Sequence, residues 1–237
     1  MIPRRAFPLG ALCAAALLAA PAVLAQPAYP SKPITIVVGY PPGGSTDLTG
    51  RTLGDALSRQ LGVPVVIENL GGAGGTIGAQ KVASAAPDGY TLLVGANNEV
   101  AISKLVTKTV KYELKDFTPL GLIASQPMVL VASTATGVKN LGEFIAKAKA
   151  APGKYSYGSS GVGTALHLAG EMVKERAGVF MTHIPYRGVA PLTSDLVGGN
   201  LEYGVFVLSS GLPHIKSGKV VALGTTEARR SPLTPDI

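Results

Sequence analysis

"ITIVVGYPPGGSTD", residues Ile34 to Asp47, decides how this chain folds. Ile34-Thr-Ile-Val-Val38 is almost wholly β-branched and reads as a buried strand. Pro41, Pro42, Gly43 and Gly44 can continue neither a strand nor a helix. From Leu48 to Leu61 apolar residues return at helical spacing, with Leu53, Ala56, Leu57 and Leu61 on one stripe. The stretch is therefore a strand, a stiff turn and a helix start, and the turn carries Ser45, Thr46 and Asp47.

Outward from there the same grammar repeats. Val65 to Ile67 and Thr91 to Val94 read as strands, and Ile77 to Ala86 as a small-residue helix ended by Pro87-Asp88-Gly89. That β-α-β-α-β order implies a parallel sheet. The second half follows in similar style. Strands are expected at Met128 to Ala132, Tyr155 to Tyr157, His183-Ile184, Leu201 to Phe206 and Val220 to Leu223, and helices at Leu141 to Ala150, Thr164 to Ala177 and Pro191 to Val197. Two α/β domains are expected, 26–126 and 127–223, joined near 123–128, with 224–237 returning to the first.

The chain has 237 residues, 46% of them hydrophobic, enough to bury a core. Residues 1–25 stand apart. Arg4 and Arg5 precede an apolar run, Leu9 to Ala20, and Val23-Leu24-Ala25 has the small-x-small form of a cleavage site. This reads as a secretory signal peptide, with the mature chain starting at Gln26 and the protein periplasmic. Cys13, the single cysteine, leaves with it, which excludes a disulfide, a thiolate nucleophile and a Cys-ligated metal from the mature chain. Loss of Arg4 and Arg5 takes the formal +7 to +5. The remaining positive charge is not clustered: Lys104, Lys108, Lys111 and Lys115 are interrupted by Glu113. Nucleic-acid binding needs a denser basic face. A mild positive excess suits small anions.

A strand-to-helix turn offers such an anion a binding place. The first amides of a helix lack an internal acceptor and lie at its positive end. Glycines let a ligand approach that backbone, and hydroxyls add donors. Gly43-Gly44-Ser45-Thr46 has this composition, and Asp47 reads as a cap or brace. An ordinary β-α turn would read the same way. A second such turn, Gly158-Ser159-Ser160-Gly161-Val162-Gly163-Thr164, opens the helix carrying His167. Facing each other, the two turns could grip opposite ends of a small diacid at the carboxyl ends of the strands.

A third cluster, Gly71-Gly72-Ala73-Gly74-Gly75-Thr76-Ile77-Gly78, suggests a dinucleotide fingerprint, but Ile77 stands where the third glycine is needed. Close packing of a helix start is the better account. Catalytic patterns are thin: neither Ser159 nor Ser160 sits in G-x-S-x-G, and His167, His183 and His214 are too scattered for a metal site. His167 and Tyr186, the latter followed by Arg187 and Gly188, remain cleft candidates; His183 and His214 read as structural. Arg51 is expected to pair with an acid such as Asp55. A secreted α/β hydrolase or oxidoreductase is the alternative function.

The motifs together resemble one family. Tyr29-Pro-Ser-Lys-Pro-Ile34, Tyr40-Pro-Pro-Gly-Gly-Ser-Thr-Asp47, Val66-Ile-Glu-Asn69, Gly72-Ala-Gly-Gly75 and Pro87-Asp-Gly-Tyr-Thr-Leu-Leu93 come in order, followed by Tyr157-Gly-Ser159, Gly163-Thr164, His167-Leu-Ala169 and Ile184-Pro-Tyr-Arg-Gly188. The pattern is similar to the Bug-type extracytoplasmic solute receptors of tripartite tricarboxylate transporters. The resemblance implies an α/β, type II-like two-domain periplasmic binding protein, a monomer that closes its interdomain cleft on a mono- or dicarboxylate without cofactor or metal. It implies membrane transporter subunits or a sensor as partners. It places ligand contacts at Tyr40, Pro42, Gly43, Gly44, Ser45, Thr46, Asn97, Ser159, Gly163 and Thr164, to which the residue reading adds His167 and Tyr186. Asp195 fits the family pattern too, but a carboxylate facing an anion is costly, so it reads as structural. Two departures stand out. Gly95 to Ser103, "GANNEVAIS", lacks the family's usual serine- and proline-bearing form, so an altered pocket wall is expected. The family also continues beyond Pro235-Asp-Ile237 with elements that complete the first domain, so the sequence reads as a fragment or a truncated copy.

Overall fold

The computed structural model describes residues 28–230 and 234–237, and Lys32–Ile237 form one compact unit. The expected leader, 1–25, lies outside the described residues. β1 is Ile34–Val38, with four of five side chains buried. α1, Ser45–Leu61, begins within the hydroxyl-bearing part of the turn. It lies close on the sheet through Gly50 and Gly54: a Cβ on Gly50 would come within 2.9 Å of Val38. β2 (Val65–Asn69), α2 (Thr76–Ala83) and β3 (Thr91–Val94) follow. β1 pairs in parallel with both neighbours, giving the order β2-β1-β3. Each parallel step needs a crossover, and the two helices supply them.

After β3 the chain forms a π-type turn, Asn98–Ile102, and a single-turn helix, α3 (Ser103–Val106). The second sheet comprises β4 (Met128–Ser133), β5 (Ser156–Ser159), β6 (Thr182–Pro185), β7 (Tyr203–Val207) and β8 (Val220–Thr225). Its helices are α4 (Leu141–Ala150), α5 (Ala165–Ala177), α6 (Val189–Gly198) and α7 (Leu208–Lys216). The strand order is β6-β5-β7-β4-β8, and β4 runs antiparallel to both β7 and β8. The second half therefore does not repeat the all-parallel arrangement of the first: β4 is inserted between β7 and β8, and α7 crosses over it. The sequence gives no hint of α7, because Gly211 and Pro213 interrupt its helical signal.

β4 explains its own apolar run. Leu130 and Ala132 face one cluster with Phe144, Tyr157 and Tyr203, while Val129 and Val131 face another with Leu192, Leu196 and Phe206. A strand covered on both faces has no polar side. The stretch 224–237, read from sequence as leading back to the first sheet, has Gly224 and Thr225 in β8, and Ile237 packs against the second of these clusters.

Candidate functional site

Loops from the carboxyl ends of β1, β3 and β5 meet at a cleft of about 450 Å³. Tyr40, Gly44, Ser45 and Thr46 line one side, Asn97 and Asn98 the next, and Ser160 with the start of α5 the far side. The strand-to-strand link, 121–126, completes the wall. A second hollow of about 320 Å³ lies between the Gly72–Gly75 turn and the loop carrying Tyr186 and Arg187. Tyr40 and Ser160 line both. β1 is central, with its neighbours on either side arriving by opposite crossovers, and the end of such a strand is where α/β sheets leave a crevice.

The first turn is held from behind. Asp47 is buried, accepts from the Gly43 amide at 2.9 Å and from Asn69 Nδ2 at 2.8 Å, and pairs with Arg51 at 3.0 Å. Arg51 thus reaches Asp47, one turn back along α1, and Asn69 at 3.1 Å; the pairing with Asp55 expected from sequence gives way to a carboxylate already fixed by two further donors, the Gly43 amide and Asn69. Burial alone would raise the Asp47 carboxyl, but hydrogen bonds from Arg51, the Gly43 amide and Asn69 outweigh it and hold the group below the usual carboxylate range. Its contribution to stability is then full above the unfolded carboxylate value and is lost as pH falls through the lowered folded one. Asp47→Asn is expected to cost about 2 kcal/mol at neutral pH and to flatten the acid limb of a melting-temperature profile below about pH 4. An unchanged acid limb would show that the brace is not electrostatic.

With Asp47 turned inward, no side chain caps α1. The amides at its start have no intrahelical acceptor, and the hydroxyls of Ser45 and Thr46 have no hydrogen-bond partner among the described residues. Pro42 and Gly43 are exposed at the outer edge of the turn and do not line the cleft.

The second turn divides its residues differently. Ser159 is fully buried, with its hydroxyl 2.7 Å from His183 Nε2 and within reach of the Gly161 amide and carbonyl. That spacing is that of a nucleophile and its base, but no solvent reaches the oxygen and the Gly161 groups hold it. Thr164 is the N-cap of α5, donating to the Gly161 carbonyl at 2.8 Å and accepting from the His167 amide. His167 Nδ1 accepts from the Gly163 amide at 3.1 Å, and its ring stacks on His183 at 4.0 Å. Burial lowers both imidazoles, and the neighbouring His167 helps take His183 to about 4, so the stacked pair is neutral at neutral pH. Tyr186 donates to Asp195 at 2.6 Å and lines the second hollow only.

Sequence reasoning passed over Ser160. It follows Ser159 at the end of β5, where successive side chains point to opposite sides. Its hydroxyl has no hydrogen-bond partner among the described residues, and it lines both hollows. The strand's alternation was the signal that could have separated the two serines. Thr164→Val, which deletes the cap, should cost about 1–2 kcal/mol of stability. Ser160→Ala should leave the melting temperature alone and lower ligand affinity about five-fold, as expected for one hydrogen bond. The reverse pattern in melting and titration experiments would interchange the two roles.

Among the described residues, no acidic or basic side chain lines the larger cleft; its polar groups are amides, hydroxyls and carboxamides. The smaller hollow adds Arg187. Among the described residues, no cluster of three or more His, Asp or Glu is arranged to hold a metal, and no helix is long and apolar enough to cross a membrane.

The profile of the tripartite tricarboxylate transporter family receptor matches residues 49–237. A UPF0065 protein encoded between tcbD and tcbE in Pseudomonas sp. strain P51 is 37% identical over 89% of this chain and 62% of its own length. BugT of Bordetella pertussis is 36% identical over 97% of this chain, which spans 70% of BugT. Among solved structures, a periplasmic transporter superposes with a TM-score of 0.86 at 40% identity, covering 89% of this chain and 71% of the other. Rpa4515 of R. palustris, solved with adipate, gives 0.86 at 33% identity, with 88% and 70% covered. MatC of Rhodopseudomonas palustris, solved with malate, gives 0.83 at 31% identity, with 88% and 71% covered. The fold is that of these periplasmic binding proteins, α/β and type II-like, and the chain belongs to the receptor family of the tripartite tricarboxylate transporters.

Proposed function

We propose that this protein is a periplasmic receptor that captures a small organic mono- or dicarboxylate and delivers it to membrane transporter subunits or a sensor. One observation carries the reading: an uncapped helix start with two free hydroxyls faces a third free hydroxyl, Ser160, across a cleft with no acidic lining. Amides and hydroxyls recognise a carboxylate without needing a metal or cofactor, since charge-assisted hydrogen bonds are among the stronger ones. Adipate and malate in the related structures are both dicarboxylates, which fits a cleft with donors on two sides.

In this reading Tyr40, Gly44, Ser45, Thr46, Asn97 and Ser160 touch the ligand, and Arg187 serves the second hollow. Pro42, Gly43, Ser159, Gly163, Thr164 and His167 frame the turns, and Tyr186 braces its loop on Asp195. Residues 26–126 and 127–223 act as two domains that close about the link at 121–126. The leader 1–25 directs export and is removed, and the receptor works as a monomer without turning over its ligand.

Titration calorimetry with malate, adipate and a series of shorter and longer mono- and dicarboxylates tests this. Saturable one-to-one binding that persists in EDTA is expected. A screen in which no carboxylate binds, or in which EDTA abolishes binding, would remove the proposal.

A further inference from the structure

The chain buries one carboxylic acid that no ion pair explains. Glu99, in the turn after β3, is 1% exposed. Oε2 accepts from the Ala96 amide at 3.0 Å, while Oε1 has no hydrogen-bond partner among the described residues. None of the ion pairs among the described residues involves it. Its place is specific. Ala96, Asn97 and Asn98, beside it in sequence, line the larger cleft; Gly75, against which Oε1 rests, lines the smaller. A Cβ added to Gly75 would overlap the carboxyl group. Glu99 therefore stands in the wall between the two hollows, behind Tyr40, which lines both.

The titratable groups facing it are Tyr40, from the loop after β1, and Tyr112, whose hydroxyl donates to the Glu99 carbonyl at 2.7 Å. Neither is charged at neutral pH. Tyr40 has one hydroxyl proton, directed at the Gly74 carbonyl at 3.0 Å, and its oxygen accepts from Asn98 Nδ2. Asn98 Nδ2 also donates to Gly74, at 2.9 Å. With Glu99 neutral, these bonds tie the first turn to the glycine-rich one. An ionised Glu99 has its own amide, the Ala96 amide and the Tyr40 hydroxyl as donors, and Tyr40 would have to leave Gly74 to serve it.

We propose that Glu99 is a positioning residue whose protonation state is coupled to ligand capture: the neutral acid holds Tyr40 on Gly74 and presents an uncharged wall to an anion, and binding takes up a proton. The inference rests on the carboxylate-receptor reading above. Burial pushes the Glu99 carboxyl up to about 7, with its own backbone amide, the Ala96 amide and Tyr40 only partly opposing, so the group titrates near neutrality. A folded value raised above the unfolded one stabilises the fold at low pH and loses that contribution as pH rises through the folded value. A buried anion beside a bound anion raises the acid's value further, and each unit of that rise is tenfold in affinity across the window.

The experiment measures melting temperature and affinity from about pH 5.5 to about pH 8.5 for the wild type, Glu99→Gln and Tyr40→Phe. Malate and adipate serve as probes, and calorimetry in two buffers of different ionisation enthalpy counts protons taken up. Wild-type affinity should fall about three- to tenfold across the window, with fractional proton uptake near its middle. Glu99→Gln, which retains size and the acceptor for Ala96, should flatten both the affinity and melting profiles. Tyr40→Phe removes the side-chain donor that faces the carboxyl and should move the melting midpoint to higher pH. Parallel profiles for wild type and Glu99→Gln, with probes binding, would overturn the coupling and leave the receptor reading standing. Absence of binding by either probe or any other carboxylate at every pH would overturn both.

Discussion

Gly78→Ala should lower the melting temperature by about 6–12 °C, although it adds one methyl group to a helix and would ordinarily favour it. The reason is how α2 meets β1. A Cβ on Gly78 would lie 2.9 Å from Gly39 Cα, 3.2 Å from the Leu70 carbonyl oxygen and 3.3 Å from the Gly39 amide nitrogen. From the other side, a Cβ on Gly39 would lie 2.7 Å from the Gly75 oxygen and 2.8 Å from its Cα. Every one of these neighbours is backbone and none can rotate away. The helix would have to lift from the strand end, disturbing the Gly72–Gly75 turn with it. Overpacking in a filled core costs 1–3 kcal/mol, and a clash with main chain belongs at about 3 kcal/mol or above. At roughly 2–4 °C per kcal/mol for a protein of this size, that gives the stated fall. Gly62→Ala is the control: it adds strain at a φ of 70° but meets nothing within 4 Å, so it should cost only about 1 kcal/mol. Equal melting temperatures for Gly78→Ala and the wild type would mean that α2 is not seated on β1 as described.

These glycines show what a sequence can and cannot disclose. The third glycine cluster fails as a dinucleotide turn on spacing alone, and helix packing, the reading left, is what Gly39, Gly75 and Gly78 do. Strands and most helices were legible because burial writes period and composition locally: β1 and β3 match their sequence limits, as does α4. The clamp on the first turn was not. Asp47 meets Asn69 across 22 positions, and no local pattern distinguishes that partner from Asp55 as the neighbour of Arg51. His167 looked like a cleft residue because it follows a glycine-hydroxyl turn; its ring instead points to His183, which only the pairing of β5 with β6 brings near. Glu99 was visible only as a departure from the family's form of that segment. Its burial depends on Gly75 arriving from another loop, and sequence spacing does not encode that approach.

Gly44→Val should fold normally and lose about a hundredfold or more in carboxylate affinity. From sequence either glycine of the pair could have needed a positive φ. The structure gives that role to Gly43, at 92°, while Gly44 sits at φ −87° and ψ 172°, an extended conformation that β-branched residues favour. A Cβ on Gly44 would meet only the Val189 Cβ, at 4.0 Å, an ordinary contact. The backbone angles and the first carbon of the side chain are therefore accommodated without strain. The conflict is with the cleft, because Gly44 lines it immediately before the free amides and hydroxyls of Ser45 and Thr46. An isopropyl group there occupies the space through which a carboxylate must approach that helix start. Losing two charge-assisted hydrogen bonds at 1.5–3 kcal/mol each leaves a deficit of about 3 kcal/mol or more, which sets the hundredfold estimate. Gly43→Val reverses the pattern: the side chain is strained by the positive φ but stands outside the cleft, so stability should fall further than affinity. Calorimetry with whichever carboxylate binds the wild type best, alongside far-UV circular dichroism and melting, separates the two. Wild-type affinity in a folded Gly44→Val protein would show that Tyr40 to Asp47 is a turn and no more, and the anion would have to be held from Ser160 and the second hollow instead.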